Sequence, residues 1–134
     1  MHRDEQWARE RFGQARVARM ATVSGDGSPH LVPMTFAVDG TKLISAVDHK
    51  PKQTTALRRL DNIAVNPFVS VLVDEYDDDD WTRLWWARAD GWARVDESYD
   101  LTPLVERYTQ YRERPPDGPV VVIEVDHWSG WSAQ

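Results

Sequence analysis

The chain has 134 residues, 41% of them apolar, enough for one compact domain with a modest core and too little for two. A formal net charge of −6 argues against generic nucleic-acid binding, and a sequence without cysteine has no disulfide, thiolate nucleophile or cysteine-based metal site. The polar start Met1-His2-Arg3-Asp4-Glu5 lacks the apolar run of a signal peptide or membrane span, so a soluble, cytoplasmic, single-domain protein over 1–134 is expected.

In chain order, residues 4–14 place Trp7, Ala8, Arg11 and Phe12 at helical spacing, and Gly13 closes a short amphipathic helix. Residues 17–23 read as a strand, and Ser24-Gly25-Asp26-Gly27-Ser28 as the turn of a hairpin into a second strand over 29–38. Asp39-Gly40 then turns into a strand over 42–47, which predicts a three-strand meander. A helix over 53–63 carries Ala56, Leu57 and Leu60 on one face. Asn66-Pro67 stops it, and 68–73 resumes as strand. The run Glu75-Tyr76-Asp77-Asp78-Asp79-Asp80 lacks the alternating ligands and glycine of a calcium loop, so it reads as a solvated connection and no metal site is expected.

Residues 83–95 predict a long strand with unlike faces. Trp85, Ala87, Ala89, Gly91, Ala93 and Val95 form a small apolar face suited to a barrel interior, while Leu84, Trp86, Arg88, Asp90, Trp92 and Arg94 form an aromatic and charged one suited to an interface. One helix is predicted over 99–113, with Leu101, Leu104, Val105 and Tyr108 inward. Residues 120–125, almost uniformly β-branched, predict a central strand, and His127-Trp128-Ser129-Gly130-Trp131 follows as a tail.

The chemistry concentrates where residues 42–47 give way to the helix. Lys50 and Lys52 flank Pro51, Thr54 and Thr55 fall on the first helical turn, and the helix start adds unpaired N–H groups, together an anion cradle that suits a phosphate. The bland reading of the same residues is a capped helix with solvated lysines. Other signatures are missing: there is no Gly-x-Ser-x-Gly elbow, His-Glu-x-x-His or P-loop, and Gly25-Asp26-Gly27 lacks the third glycine of a dinucleotide fingerprint. His2, His30, His49 and His127 are scattered, and only His49 lies in the basic turn where it could touch an anion or substrate. With no acid, base or nucleophile to assign, catalytic residues stay unknown, and a bound cofactor is the reading that suits the cradle.

These features together resemble the flavin- and deazaflavin-binding split-barrel superfamily, the pyridoxamine 5'-phosphate oxidase-like proteins, and within it the actinobacterial subgroup assigned as F420-dependent oxidoreductases. The resemblance runs from Arg16 to Trp131 and rests on Ala21-Thr22-Val23-Ser24-Gly25-Asp26-Gly27-Ser28-Pro29-His30-Leu31-Val32-Pro33-Met34, on Asp48-His49-Lys50-Pro51-Lys52 with Leu57-Arg58-Arg59-Leu60, and on Trp128-Ser129-Gly130-Trp131. It implies a mainly antiparallel split β-barrel with flanking helices that works as a homodimer. It also implies a flat cofactor ring against Pro33, Met34, Thr35 and Phe36 and against Ser45, Ala46 and Val47. The cofactor phosphate falls to Lys52, with Lys50, Thr54 and Thr55 beside it, and Arg58 or Arg59 is left for the acidic tail of F420. Trp85, Trp86 and Arg88 would close the site from a partner chain, which accounts for seven tryptophans in so short an acidic protein. The implied function is hydride transfer from reduced F420 to an electron-poor small molecule. FMN in the same cradle is the alternative cofactor, and a non-catalytic carrier of F420 or a haem-type ligand the alternative class.

Overall fold

The computed structural model describes residues 1–47 and 54–134, with the backbone alone for 54–57. A short strand β1 (His2–Arg3) precedes α1 (Glu5–Gln14), which starts where Asp4 accepts a hydrogen bond from the Trp7 N–H at 2.9 Å and ends where the Ala15 N–H bonds back to Arg11. Two hairpins follow, β2 (Ala18–Val23) with β3 (Pro29–Met34) and β4 (Ala37–Asp39) with β5 (Lys42–Ala46). Their turns place Gly27 and Gly40 at φ of 89° and 63°, where a side chain would be strained. The helix α2 (Thr54–Val65) leads into β6 (Phe68–Glu75), a 3-10 turn over Trp81–Arg83, and β7 (Trp85–Asp96). Two short helices, α3 (Thr102–Arg107) and α4 (Thr109–Glu113), precede β8 (Val120–Ser132).

The strands form one antiparallel sheet in the order β3-β2-β6-β7-β8-β5-β4, with β1 paired to the far end of β8. Laid flat, six steps between strands would set β3 and β4 about 29 Å apart. Met34 and Ala37 are joined by only two residues, which span at most about 11 Å. The sheet is therefore rolled, and residues 35 and 36 bridge its two edges. This is the split β-barrel with flanking helices that the sequence implied. The inward face is lined by Met20, Val69, Val71, Val73, Ala87, Ala89, Val121 and Ile123, and α1 plugs it with Ala8 and Phe12. Because β8 is central it buries both faces: Val120 and Val122 point the other way, into a second cluster with Leu104, Ile44 and Ala37.

Four expectations change. The predicted strand over 29–38 is two strands on opposite edges, so the three-strand meander does not form: β3 pairs with β2, and β4 with β5. Barrel closure imposes this break. The helix over 99–113 is interrupted at Tyr108, whose φ of −118° and ψ of 123° are extended. The supposed tail belongs to β8, because Asp126 forms a bulge, with Asp90 opposite His127 but Gly91 opposite Val125. One extra residue moves the inward positions from Val121 and Ile123 to Trp128 and Gly130, which hides the strand from a simple alternation count. The faces of β7 are as expected over most of its length, with Ala87, Ala89, Gly91 and Ala93 buried and Arg88, Trp92 and Arg94 exposed, but Val95, expected on the inner face, is exposed at the end of the strand.

Candidate cofactor site

The crossover between the barrel edges organises the site. Its backbone leaves the sheet ladder, so its polar groups need other partners. Two hydroxyls supply them, and a third fixes the Thr35 side chain. Thr35 O accepts from Ser45 Oγ at 2.7 Å, and the Phe36 N–H donates to Tyr108 Oη at 3.1 Å. Tyr108 Oη also lies 2.9 Å from Phe36 O and 2.8 Å from Arg16 O, and the Thr35 and Tyr111 hydroxyls meet at 2.8 Å. The break at Tyr108 is what delivers this hydroxyl to the crossover. Phe36 and Met34 turn their side chains into the core, Phe36 against Phe12 and under the Arg107 guanidinium.

The expected ring floor is thus brought together in part. Thr35 and Ser45 are joined by a hydrogen bond, Ala46 is buried beside them on β5, and Pro33 is exposed at the end of β3. Val47 leaves β5 with its N–H on Pro119 O at 2.9 Å, and Gly118 lies so close that a Cβ there would sit 2.6 Å from the Val47 carbonyl oxygen. Lys50, Lys52 and His49 lie outside the described residues. Thr54 and Thr55 do begin α2, where the backbone alone is described.

The two arginines of α2 part company. Arg58 is exposed and, with Asp61 and Asn62, lines a cleft of about 540 Å³ shared with Ser24, Asp26 and His30. That cleft opens at the turn end of β3, away from Thr35. Hydrogen bonds from Ser24 and Ser28 hold the Asp26 carboxyl down at about 2, so Arg58 already faces negative charge. Arg59 is half-buried, and its Nε is fully buried without a hydrogen-bond partner among the described residues. The resemblance left Arg58 or Arg59 for the acidic tail without choosing between them. Adjacent residues on a helix point about 100° apart, and only the packing of α2 decides which turns inward.

Trp85 and the pair Trp86 and Arg88 occupy opposite faces of β7, as alternation requires. Trp85 packs edge-on to Trp7 at 6.0 Å within its own chain, over the mouth that α1 closes. Arg88 lies over Trp86 and bonds Asp90 Oδ2 at 3.1 Å on the outer face. Among the described residues no group of three or more histidines or carboxylates could hold a metal ion. The aspartates of the acidic loop serve its own turns: Asp77 accepts from the Asp79 and Asp80 N–H groups, and Asp80 caps the 3-10 turn through Thr82. No helix among the described residues is long and apolar enough to cross a membrane.

A rolled antiparallel barrel with a polar crossover between its edges defines the class, and sequence comparison names the family. The model of the pyridoxamine 5'-phosphate oxidase family matches residues 5–132, and the chain belongs to that family. Similar solved structures include the conserved hypothetical protein Rv2991 of Mycobacterium tuberculosis, with 21% identity, a TM-score of 0.76 and coverage of 98% of this chain and 86% of that one. The FAD-binding protein of Mycobacterium smegmatis gives 17%, 0.65, 98% and 96%, and the haem storage protein HutZ of Vibrio cholerae 16%, 0.69, 97% and 94%. At these identities the likeness is one of fold. No curated protein matches the sequence.

At the crossover the Ser45 hydroxyl is spent on Thr35 O and the Thr35 and Tyr111 hydroxyls on each other, while Arg59 on α2 keeps a buried Nε–H without a hydrogen-bond partner among the described residues.

Proposed function

We propose that the chain binds the deazaflavin F420 as a homodimer and directs hydride to an electron-poor small molecule. The observation that carries this is the crossover itself, a hydroxyl-lined floor held rigid by Tyr108 and Tyr111 at the end of the strand that feeds the lysine turn. Bound there, reduced F420 would supply the hydride. The chain's part is to bind and orient: Lys50, Lys52, Thr54 and Thr55 hold the phosphate, and Thr35 and Ser45 present polar atoms at the edge of the ring. Each charge-assisted hydrogen bond contributes about 1.5–3 kcal/mol, so the phosphate contacts reach micromolar affinity only together with burial of the ring.

Tryptophan fluorescence quenching with F420, FMN, FAD and haem tests the reading. F420 is expected to bind most tightly, and Lys52→Ala to weaken it at least tenfold. Equal affinity in the variant would remove the phosphate assignment. A second reading, a flavin in the same cradle, draws support from the fold shared with the FAD-binding protein of M. smegmatis. Tighter FMN or FAD than F420 in the same panel would establish it, and tight haem binding without turnover would favour a carrier.

The dimer reading draws on the outer face of the sheet. Leu31, Phe68 and Trp92 are 67%, 45% and 49% exposed there, Phe68 and Trp92 with ring centroids 5.0 Å apart, and Trp86 and Arg88 lie on the same face. A second copy covering it would bury these rings and bring Trp86 and Arg88 to the partner's floor. Sedimentation is expected to give twice the chain mass, and Trp92→Glu to shift the protein towards monomer. A wild-type monomer at micromolar concentration would sink the dimer.

A further inference from the structure

We propose that the outer face of the sheet is neutralised pair by pair within each chain so that it can close against an identical face, and that Asp90 is the residue on which this closure depends. The inference rests on the dimer reading above and deepens it by naming what lets two acidic chains meet there.

Side-chain alternation puts Arg19 of β2, Asp74 of β6, Arg88, Asp90 and Arg94 of β7 and Glu124 of β8 on the face that carries Leu31, Phe68 and Trp92. These charges find one another inside the chain. Arg19 Nη1 lies 3.5 Å from Asp74 Oδ1, Arg88 Nε 3.1 Å from Asp90 Oδ2, and Arg94 Nη1 3.0 Å from Glu124 Oε2. The bulge residue Asp126 accepts the Trp92 indole N–H at 2.6 Å, and Ser70 Oγ donates to the other Asp90 oxygen at 2.5 Å. Both oxygens of Asp90 are thereby occupied, and its side chain, 15% exposed, is the least exposed of the three pairs.

Exposed pairs of this kind add little to the stability of a lone chain, so their value lies in what they allow to cover them. A two-fold interface sets a patch against its own copy, and a patch of one sign repels itself. The chain carries a net charge of −6, so two copies repel at long range and meet only where charge is cancelled locally. This face meets that condition, with three arginines set against three carboxylates and the stacked rings of Phe68 and Trp92 beside them. A strongly basic or acidic macromolecule would find too little net charge here to hold it. Asp90 is the sensitive point. Without its charge Arg88 would be unmasked in both copies and then covered with no counter-charge, which is the costly way to break a buried pair.

Sedimentation of the full chain over a dilution series, with no flavin or deazaflavin present, measures the dimer dissociation constant at about 0.05 M and about 0.5 M sodium chloride, on either side of effective screening. The wild-type constant is expected to hold or to fall as salt rises, because the charges are spent within each chain and screening relieves the repulsion between two acidic copies. Asp90→Asn should weaken the dimer at least tenfold in dilute salt, and added salt should recover part of the loss by screening the two unmasked arginines. Asparagine keeps the shape of the side chain and an acceptor for Ser70, so the Tm of this variant should stay near that of the wild-type chain. Asp90→Asn combined with Arg88→Gln should restore the dimer, since the pair is then removed whole. Glu10→Gln, the same change of charge on α1, should leave the constant unchanged. The proposal is overturned if the wild-type dimer weakens tenfold or more in concentrated salt, if Asp90→Asn dimerises as the wild type does, or if the double variant, folded by its Tm, stays as weak as Asp90→Asn. A wild-type monomer at micromolar concentration would remove the dimer reading and this proposal with it, whereas each of those three results removes this proposal alone from a chain that still dimerises.

Discussion

Gly91→Ala is expected to destabilise the protein by at least about 3 kcal/mol and to lower its Tm by roughly 10 °C or more. Gly91 faces the bulge on β8, and a Cβ there would lie 2.2 Å from the carbonyl oxygen of Glu124 and 2.9 Å from Val125 Cα. All these neighbours are backbone, so no side-chain rotation can relieve the overlap. The β7 to β8 ladder would have to separate at the bulge, in the middle of both strands. Gly13→Ala is the control, because nothing lies within 4 Å of a Cβ at that position in α1. There the gain in helix propensity stabilises by about 0.5–1 kcal/mol. Differential scanning calorimetry of both variants makes the comparison. If Gly91→Ala melted with the wild type, the close approach of β8 to β7 would be wrong.

Tyr108→Phe carries the second large effect. The substitution keeps the ring and removes one oxygen, which leaves the fully buried Phe36 with its N–H unpaired and takes a donor from the Phe36 and Arg16 carbonyls. Each buried polar group left without a partner costs about 1–3 kcal/mol, so a loss of about 2–4 kcal/mol is expected by urea unfolding. Tyr111→Phe frees one exchangeable hydroxyl contact at Thr35, and a loss near 1 kcal/mol is expected there. Amide hydrogen exchange locates the effect: Phe36 should be protected in the wild type and exchange much faster in Tyr108→Phe, with β6 and β7 unchanged. Uniform loss of protection would mean that Tyr108 holds the whole fold and not the crossover. F420 affinity should fall in the same variant, since the floor then lacks its support.

Much of the architecture was legible along the chain. Apolar periodicity located α1 and α2, and Asp39-Gly40 and the glycines after Ser24 marked both hairpin turns. The alternation from Ala87 to Arg94 separated the inner from the outer face of β7 correctly and failed only at Val95, which is exposed. The resemblance led to the right family, because its motifs sit on those same local elements. Each failure has a non-local cause. The meander failed because hairpin logic pairs each strand with its neighbour in the chain, whereas the barrel sends residues 35 and 36 from one sheet edge to the other. The unbroken helix failed at Tyr108, which gives up helical backbone to bond a segment more than seventy residues earlier. Nothing in its spacing marked it apart from Leu101, Leu104 and Val105.

By itself the sequence determined where α1 and α2 lie, where both hairpins turn, and which face of β7 is inward from Ala87 to Ala93. These depend on side-chain period and turn residues, properties of a few neighbours at a time. Only the tertiary structure decided that the sheet rolls, that Trp128 and Gly130 belong to β8, that Thr35, Ser45, Tyr108 and Tyr111 share one polar crossover, and that Arg59 turns inward while Arg58 does not. Those outcomes rest on pairings between distant residues, where burial and hydrogen-bond satisfaction choose among arrangements that local propensity leaves equal.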